Sequence, residues 1–356
     1  MIAPTTAVVI CAYTMDRWDD LSAALHSVSA QSLPPDEIWL VVDHHDRLLN
    51  RAEQELRAVV PGLNIVANSR TQGLSGARNT ALEHVSSEVV AFVDDDATAA
   101  EDWLERLTAP YRWTDVIAVG GAARPRWPSK ASRPVTLPAA GPAAWGELDW
   151  VVGCSYRGQP GELAPVRNLM GCNMSYRMEV FRRVGGFSEH LGRVGKIPLG
   201  CEETELCIRA RRLFPGGNIV FEPAALVSHH VSPDRLTWGY LRRRCYAEGL
   251  SKAAVARMVG QDQALENERH YVTHVLPAGA LRQLAALRKG RVSAVAGAGA
   301  IMLGLGVTCV GYLRARISKV AVVGDAPTLD VPPLATHPAG LTPQEKGDPT
   351  DEPRPI

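Results

Sequence analysis

The chain has 356 residues, 46% of them hydrophobic, and balances 38 Lys and Arg against 38 Asp and Glu. It is long and apolar enough for one sizeable core with attachments, and its charge balance excludes a global field that would gather nucleic acid. Cys11, Cys154, Cys172, Cys201, Cys207, Cys245 and Cys309 form no C-x-x-C pair, which argues against a disulfide framework or thiolate zinc site and for a reducing compartment.

The opening segment has no basic leader before a long apolar run, so Ala7–Ala12 reads as a strand rather than a signal peptide. Leu21, Ala24, Leu25 and Val28 share a helical face over Leu21–Gln31, and Leu33-Pro34-Pro35 ends it. EIWLVVD, Glu37–Asp43, is a second buried strand finishing on an acid; Leu48–Val59 is helical and Leu63–Asn68 is a third strand. Glycines open the run from Gly73, which continues as a helix to about Val85. Val89–Val93 is a fourth strand that runs straight into Asp94, Asp95 and Asp96, with a helix at Ala100–Leu107.

Strands alternating with helices imply right-handed crossovers and a mostly parallel α/β sheet covered on both faces. Ligands of such sheets sit outside the carboxyl ends of the strands. Three strand ends carry polar groups there: Tyr13–Asp16, Asp43 and Asp94–Asp96. Arg124–Pro142, with its prolines and basic residues, reads as a long loop, and there is no internal repeat.

The three acids pose the chemical question. Side chains alternate at a strand end, so Asp94 and Asp96 share a face and Asp95 opposes them. Adjacent carboxylates in a low-dielectric setting need a proton or a cation. Two hard oxygen donors on one side suit Mg²⁺ or Mn²⁺, with phosphate oxygens among the remaining ligands. One alternative is a solvated loop whose acids cap the next helix. Another is the D-x-D-x-T nucleophile of a haloacid-dehalogenase-type phosphatase, with Asp94 attacking phosphate; that motif belongs on a first strand, and three strands precede it here.

GCEETELCIRARRL, Gly200–Leu213, has acids in its first turn and arginines in its last, the order a helix macrodipole favours. The functional alternative is that Glu203 projects into the cleft opposite the metal as a general base, which needs reach first and pKa second. His229 and His230 follow Val227–Ser228 as either loop residues or metal ligands. Arg242, Arg243, Arg244 and Lys252 suit a leaving diphosphate or anionic head groups.

VVICAYTMDRW, LVVDHHD, TQGLSGARNTAL and VVAFVDDDA, with NLMGCNMSYRMEVFRRVGGF and GCEETELCIRAR after them, resemble the inverting glycosyltransferases of family 2, GT-A type. The blocks keep that family's order and spacing over about Ala7–Lys252. The resemblance implies a GT-A (nucleotide-diphospho-sugar transferase) fold, a nucleotide-sugar donor, a hydroxyl acceptor and Mg²⁺ or Mn²⁺. It implies that Ala12 and Tyr13 border the nucleotide, that Asp43 hydrogen-bonds the base, and that Gly73, Gly76 and Arg78 lie near the nucleotide. Asp94 would face the ribose or metal shell, with Asp95 beside it, and Asp96 would bind the metal. Glu203 would be the base; the family more often has Asp there, which keeps Glu202 as the second choice. His229 would be a further metal ligand, with His230 second. Asn168, Asn173 and Arg177 would line the acceptor half, and Arg243 and Arg244 would neutralise the diphosphate. A non-catalytic nucleotide-sugar-binding protein is the remaining alternative, against which intact Asp94, Asp96 and Glu203 argue.

Val292–Leu313 contains no charge, and its length matches the ~20 apolar residues that span a bilayer core. Arg288, Lys289 and Arg291 precede it, and Arg314, Arg316 and Lys319 follow. It reads as a membrane helix, with a buried soluble helix or an interfacial hairpin as alternatives; two positive flanks leave topology open. The Pro-rich remainder has too little apolar content to fold alone and reads as a disordered tail. The expected division is a catalytic domain over 1–252, with a nucleotide half to about 123 and an acceptor half from about 143. A membrane-apposed segment at 253–291, a membrane helix at 292–313 and a tail at 314–356 follow. The catalytic domain is expected on the cytoplasmic side of a cell membrane, with donor, glycan or lipid-linked acceptor and membrane lipids as partners.

Overall fold

The computed structural model describes residues 3–128, 133–141, 144–191, 200–260 and 269–317. Lys319 and nearly all of the expected tail lie outside them. The first strands are β1 (Thr6–Ala12), β2 (Glu37–Val42), β3 (Leu63–Ala67) and β4 (Val89–Asp94). Each is built from β-branched or other apolar residues, and they pair in parallel in the order β3-β2-β1-β4. Between them run α1 (Trp18–Ser29), α2 (Asp46–Glu55) and α3 (Leu74–Leu82).

The period-2 alternation of a strand divides the core into two. Val8 and Ile10 of β1 pack with Leu21 and Leu25 of α1 and Leu48 of α2 on one face. Ala7 and Val9 pack with Ala77 and Ala81 of α3 on the other, joined by Phe181 and Leu206 from later helices. Burial on both faces explains why these strands read as continuous apolar runs.

After β4 come β5 (Ala97–Ala99), which the sequence did not signal, and α4 (Trp103–Thr108). The acceptor half adds β6 (Val116–Arg126), β7 (Ala164–Pro165), β8 (Asn173–Arg177), α5 (Met178–Val184), α6 (Glu202–Leu213) and β9 (Asn218–His230). β8 inserts antiparallel between β4 and β6, and β9 runs parallel to β6 and antiparallel to β5 and β7. The sheet is thus parallel at one end and mixed at the other. β6 continues through Arg126, inside the expected loop. Its pairing with β8 ends at Gly120, so beyond that residue β9 is its remaining neighbour and Pro125 can forgo a donor on the open side.

The C-terminal helices are α7 (Trp238–Val259), α8 (Leu276–Leu287), led by a π-turn at Tyr271–Val275, and α9 (Ser293–Ile317). α7 runs through Lys252, so the expected domain boundary falls inside a helix. A third core joins Leu148 and Val151 to Leu241 and Cys245 of α7, Leu276 of α8, and Ala300 and Ile301 of α9. α9 is long and apolar enough to cross a membrane by length and composition.

Candidate active site

β4 delivers the acids: Asp94 is its last residue, level with Cys11 of β1. The antiparallel β5–β9 pair then sets His229 opposite Ala97, and the His230 amide donates to the Asp96 carbonyl at 2.8 Å. That register brings His229 Nε2 to 3.1 Å from Asp96 Oδ1 and 3.7 Å from Asp94 Oδ2. One ligand atom from each of Asp94, Asp96 and His229 lies within 4.8 Å of the others. Asp95 points away from this group, as strand alternation requires, and accepts from Arg17 Nη1 at 2.7 Å.

The charges are compensated from several sides. Arg17 also approaches Asp96 Oδ2 at 3.1 Å, Arg235 approaches it at 3.6 Å, and Arg78 Nη2 lies 3.7 Å from Asp94 Oδ1. Burial pushes the Asp95 carboxyl up to about 7, Arg17 opposing and Asp96 and Asp94 adding to the rise. Burial works against ionised Asp96 as well, but His229, Arg17 and Arg235 hold it far below the ordinary range. Burial works against ionised Asp94 too, but His229 and Arg78 together hold its carboxyl below the ordinary value. Burial alone would depress the His229 imidazole, yet Asp96 and Asp94 keep it well above its usual value.

The cluster fits a divalent cation. Asp96 Oδ1 is buried and faces His229 Nε2 at 3.1 Å without forming an aligned hydrogen bond, which marks a polar site with capacity to spare. Two carboxylates and an imidazole are a donor set for a hard or borderline ion, and His229 Nε2, which faces both acids, is the nitrogen a metal would take in place of a proton. Gly153 supports the ring: its φ is +79°, and an added Cβ would lie 3.1 Å from His229 Cε1.

Arg78 ties this cluster to α6. Buried over the Phe92 and Phe187 rings, it donates to Glu202 Oε1 and to the Gly171 carbonyl, both at 2.9 Å. Glu203, one residue on, is half-buried. Burial raises its carboxyl well above the ordinary value, and the adjacent Glu202 raises it further. Asp94, His229 and Glu203 all line one cavity of about 580 Å³. Cys201, just before these acids, holds a left-handed φ of +74°, a conformation that costs a non-glycine residue ~1 kcal/mol or more.

The family model for Glycosyl transferase family 2 matches residues 7–185. The chain belongs to that family. A glucosyl-dolichyl phosphate glucuronosyltransferase of Haloferax volcanii is 31% identical over 271 residues, covering 76% of this chain and 82% of the relative. Succinoglycan biosynthesis protein ExoM of Rhizobium meliloti is 27% identical over 256 residues, 67% and 71% of the two chains. Among solved structures, mannosyltransferase PcManGT from Pyrobaculum calidifontis, in complex with GDP-Man and Mn²⁺, gives a TM-score of 0.57 at 19% identity over 90% of this chain and 87% of that one. GalNAc-T7 with UDP, GalNAc and Mn²⁺ gives 0.50 at 16% identity over 77% and 56%. At such identities these two establish the GT-A fold alone. The phosphatase reading falls, since the acids end the fourth strand of a glycosyltransferase sheet.

In this glycosyltransferase a smaller cavity adjoins the larger through Asp94 and Leu74, and Ala12, Tyr13, Arg17 and Asp43 line it. Asp43 accepts from Asn68 Nδ2 at 2.7 Å and from the Gly73 amide at 3.0 Å. Gly76 serves packing: an added Cβ there would lie 1.9 Å from the Thr71 carbonyl oxygen. Asn168 and Arg244 line the large cavity, Arg244 held by Glu248 at 2.8 Å.

Four expected residues go elsewhere. His230 turns to the other face and pairs with Asp20 at 2.5 Å, because adjacent strand residues point oppositely. Asn173 is fully buried, its amide donating to the Ala122 and Ala225 carbonyls and accepting from Trp103 Nε1. Arg177 pairs with Val89, at the far end of β4 from Asp94, and bonds the Tyr111, Trp113 and Val116 carbonyls. Arg243 is exposed on α7 outside the cavity lining. Sequence reasoning missed Arg17, Arg235 and Gly153. Arg17 had a signal, since TMDRW follows the first strand on its ligand-binding edge.

Proposed function

We propose that this glycosyltransferase moves a sugar from a nucleotide-diphospho-sugar to a hydroxyl of a lipid-linked glycan, with inversion and with a divalent ion. The observation that carries the reading is the shared cavity, which Asp94, His229 and Glu203 all line. Asp94, Asp96 and His229 would hold Mg²⁺ or Mn²⁺, the imidazole favouring Mn²⁺. When bound, the ion supplies positive charge to the leaving diphosphate. Arg17 and Arg235, beside the same acids, add to that charge. The small cavity takes the nucleoside, with Asp43 oriented by Asn68 and Gly73 to accept from the base.

The acceptor hydroxyl oxygen bonds to the anomeric carbon as the bond to the diphosphate oxygen breaks. Its proton passes to the Glu203 carboxylate. Glu202 is committed to Arg78, which leaves Glu203 free for that proton. A single displacement of this kind inverts the anomeric centre. The lipid-linked acceptor is supported by the named activity of the Haloferax volcanii relative. Leu305, Val272 and Leu276 also add apolar side chains to the cavity lining. Seven free cysteines suit a catalytic domain on the cytoplasmic side of the membrane.

A thermal-shift screen of the purified full chain against several nucleotide-sugars, with and without Mn²⁺, tests the reading. A donor that binds the folded chain raises the melting midpoint, and the reading expects that rise with Mn²⁺ and its loss in Asp96→Asn. The same rise in EDTA would contradict it.

A further inference from the structure

We infer that α9 lies in the plane of the membrane interface, forming a wall of the acceptor cavity, and does not cross the bilayer. Its composition alone permits a span, but its packing does not. Ala294, Gly297, Ile301, Gly304, Gly311 and Ala315 are buried along the helix. The α7 and α9 backbones touch: an added Cβ on Gly249 would lie 2.2 Å from the Thr308 carbonyl oxygen, and one on Gly311 would lie 2.3 Å from that of Tyr246. Gly304, near the middle of α9, faces the Cys245 sulfur, one residue from Arg244.

A spanning α9 would therefore drag α7 into hydrocarbon, with exposed Arg242 and Arg243 and the Arg244–Glu248 pair. Charges at that depth are strongly disfavoured. The outward face fits an interface instead. Val295, Met302, Val310, Leu313 and Ile317 are exposed along α9, and Leu281 and Leu284 extend the apolar surface along α8. No acidic residue occurs between Leu276 and Ile317, while exposed Arg288, Lys289, Arg291 and Arg314 border the surface. An apolar face with basic margins is the chemistry of an anionic bilayer surface.

The cavity opens on this same face. Cys309 and Leu313 are exposed and also line the cavity that holds Asp94 and Glu203. Resting on the lipid-linked acceptor proposed above, this means the acceptor's lipid enters sideways from the bilayer while its sugar reaches Glu203.

The test uses depth. In the full chain carrying Cys11→Ser and Cys309→Ser, whose remaining native cysteines are buried, one cysteine introduced at Val295, Met302, Val310 or Ile317 takes an environment-sensitive fluorophore. Each labelled chain is bound to phosphatidylglycerol–phosphatidylcholine vesicles containing lipids spin-labelled near the head group or deep in the tail. A rise of ~1.5 Å per residue spreads these positions over ~33 Å, the thickness of a bilayer core. All four labels sharing one shallow depth is expected. A profile deepest in the middle and shallow at both ends overturns the inference. So does insensitivity to lipid with a doubled mass in vesicle-free solution, which would place a second copy on this face. Separately, a polyprenyl phosphate in the vesicles should slow maleimide reaction at native Cys309 about tenfold. Shallow, equal depths without that protection would support the helix placement and remove the lipid-linked acceptor.

Discussion

Glu203 carries two opposed demands. A base must ionise to work, yet burial and the neighbouring Glu202 favour its protonated form. Folding therefore gains from protonation: the stabilisation is complete below the ordinary value of 4.5 and is lost as pH rises through the raised value. Glu203→Gln should escape that loss, so its stability advantage over the wild type grows with pH in denaturant titrations. Transfer by the same variant should fall roughly 10²–10⁴-fold, and wild-type kcat should climb as Glu203 ionises. Arg78 is the second residue with a sharp expectation. It is buried and compensates Glu202, so Arg78→Ala leaves a carboxylate unpaired and should cost about 3–5 kcal/mol, read by chemical denaturation. Gly153→Ala meets both a left-handed φ and the His229 ring. It should lower stability by about 1 kcal/mol and weaken Mn²⁺ binding, which calorimetry would register.

At the scale of elements, β1 through β4 were legible because each is buried on both faces and reads as a short apolar run between helical patterns. The second half was less so. β8 pairs with β4 and β6 across long separations, β5 exists only because β9 arrives beside it, and neither leaves a local signal. The site divides the same way. Asp94, Asp96 and Glu203 stand in recognisable motifs, whereas Arg17 meets Asp95 only through a contact 78 residues away in sequence. The family resemblance put Asn173 in the acceptor half, but a buried amide between strands is consumed by their carbonyls. α9 yields a prediction at this scale. Deleting from Val292 removes Ala300 and Ile301 from the third core and uncovers Cys245, so the truncated chain should melt well below the full one and aggregate. An unchanged melting midpoint would show that α9 is dispensable to the fold.

Across the whole molecule, the sheet gathers three strand ends, α6 faces them with its acids, and the C-terminal helices close the space between. One cavity then runs from Asp94 and Glu203 to Cys309 and Leu313 on α9, linking donor chemistry to the apolar surface. The account depends on Asp94, Asp96 and His229 acting as one cation site. Electron paramagnetic resonance of Mn²⁺ with the full chain and a nucleoside diphosphate measures this directly. Bound Mn²⁺ in the wild type, with at least a tenfold loss of affinity in both Asp96→Asn and His229→Ala, is the expected result; equal binding by all three chains would contradict it.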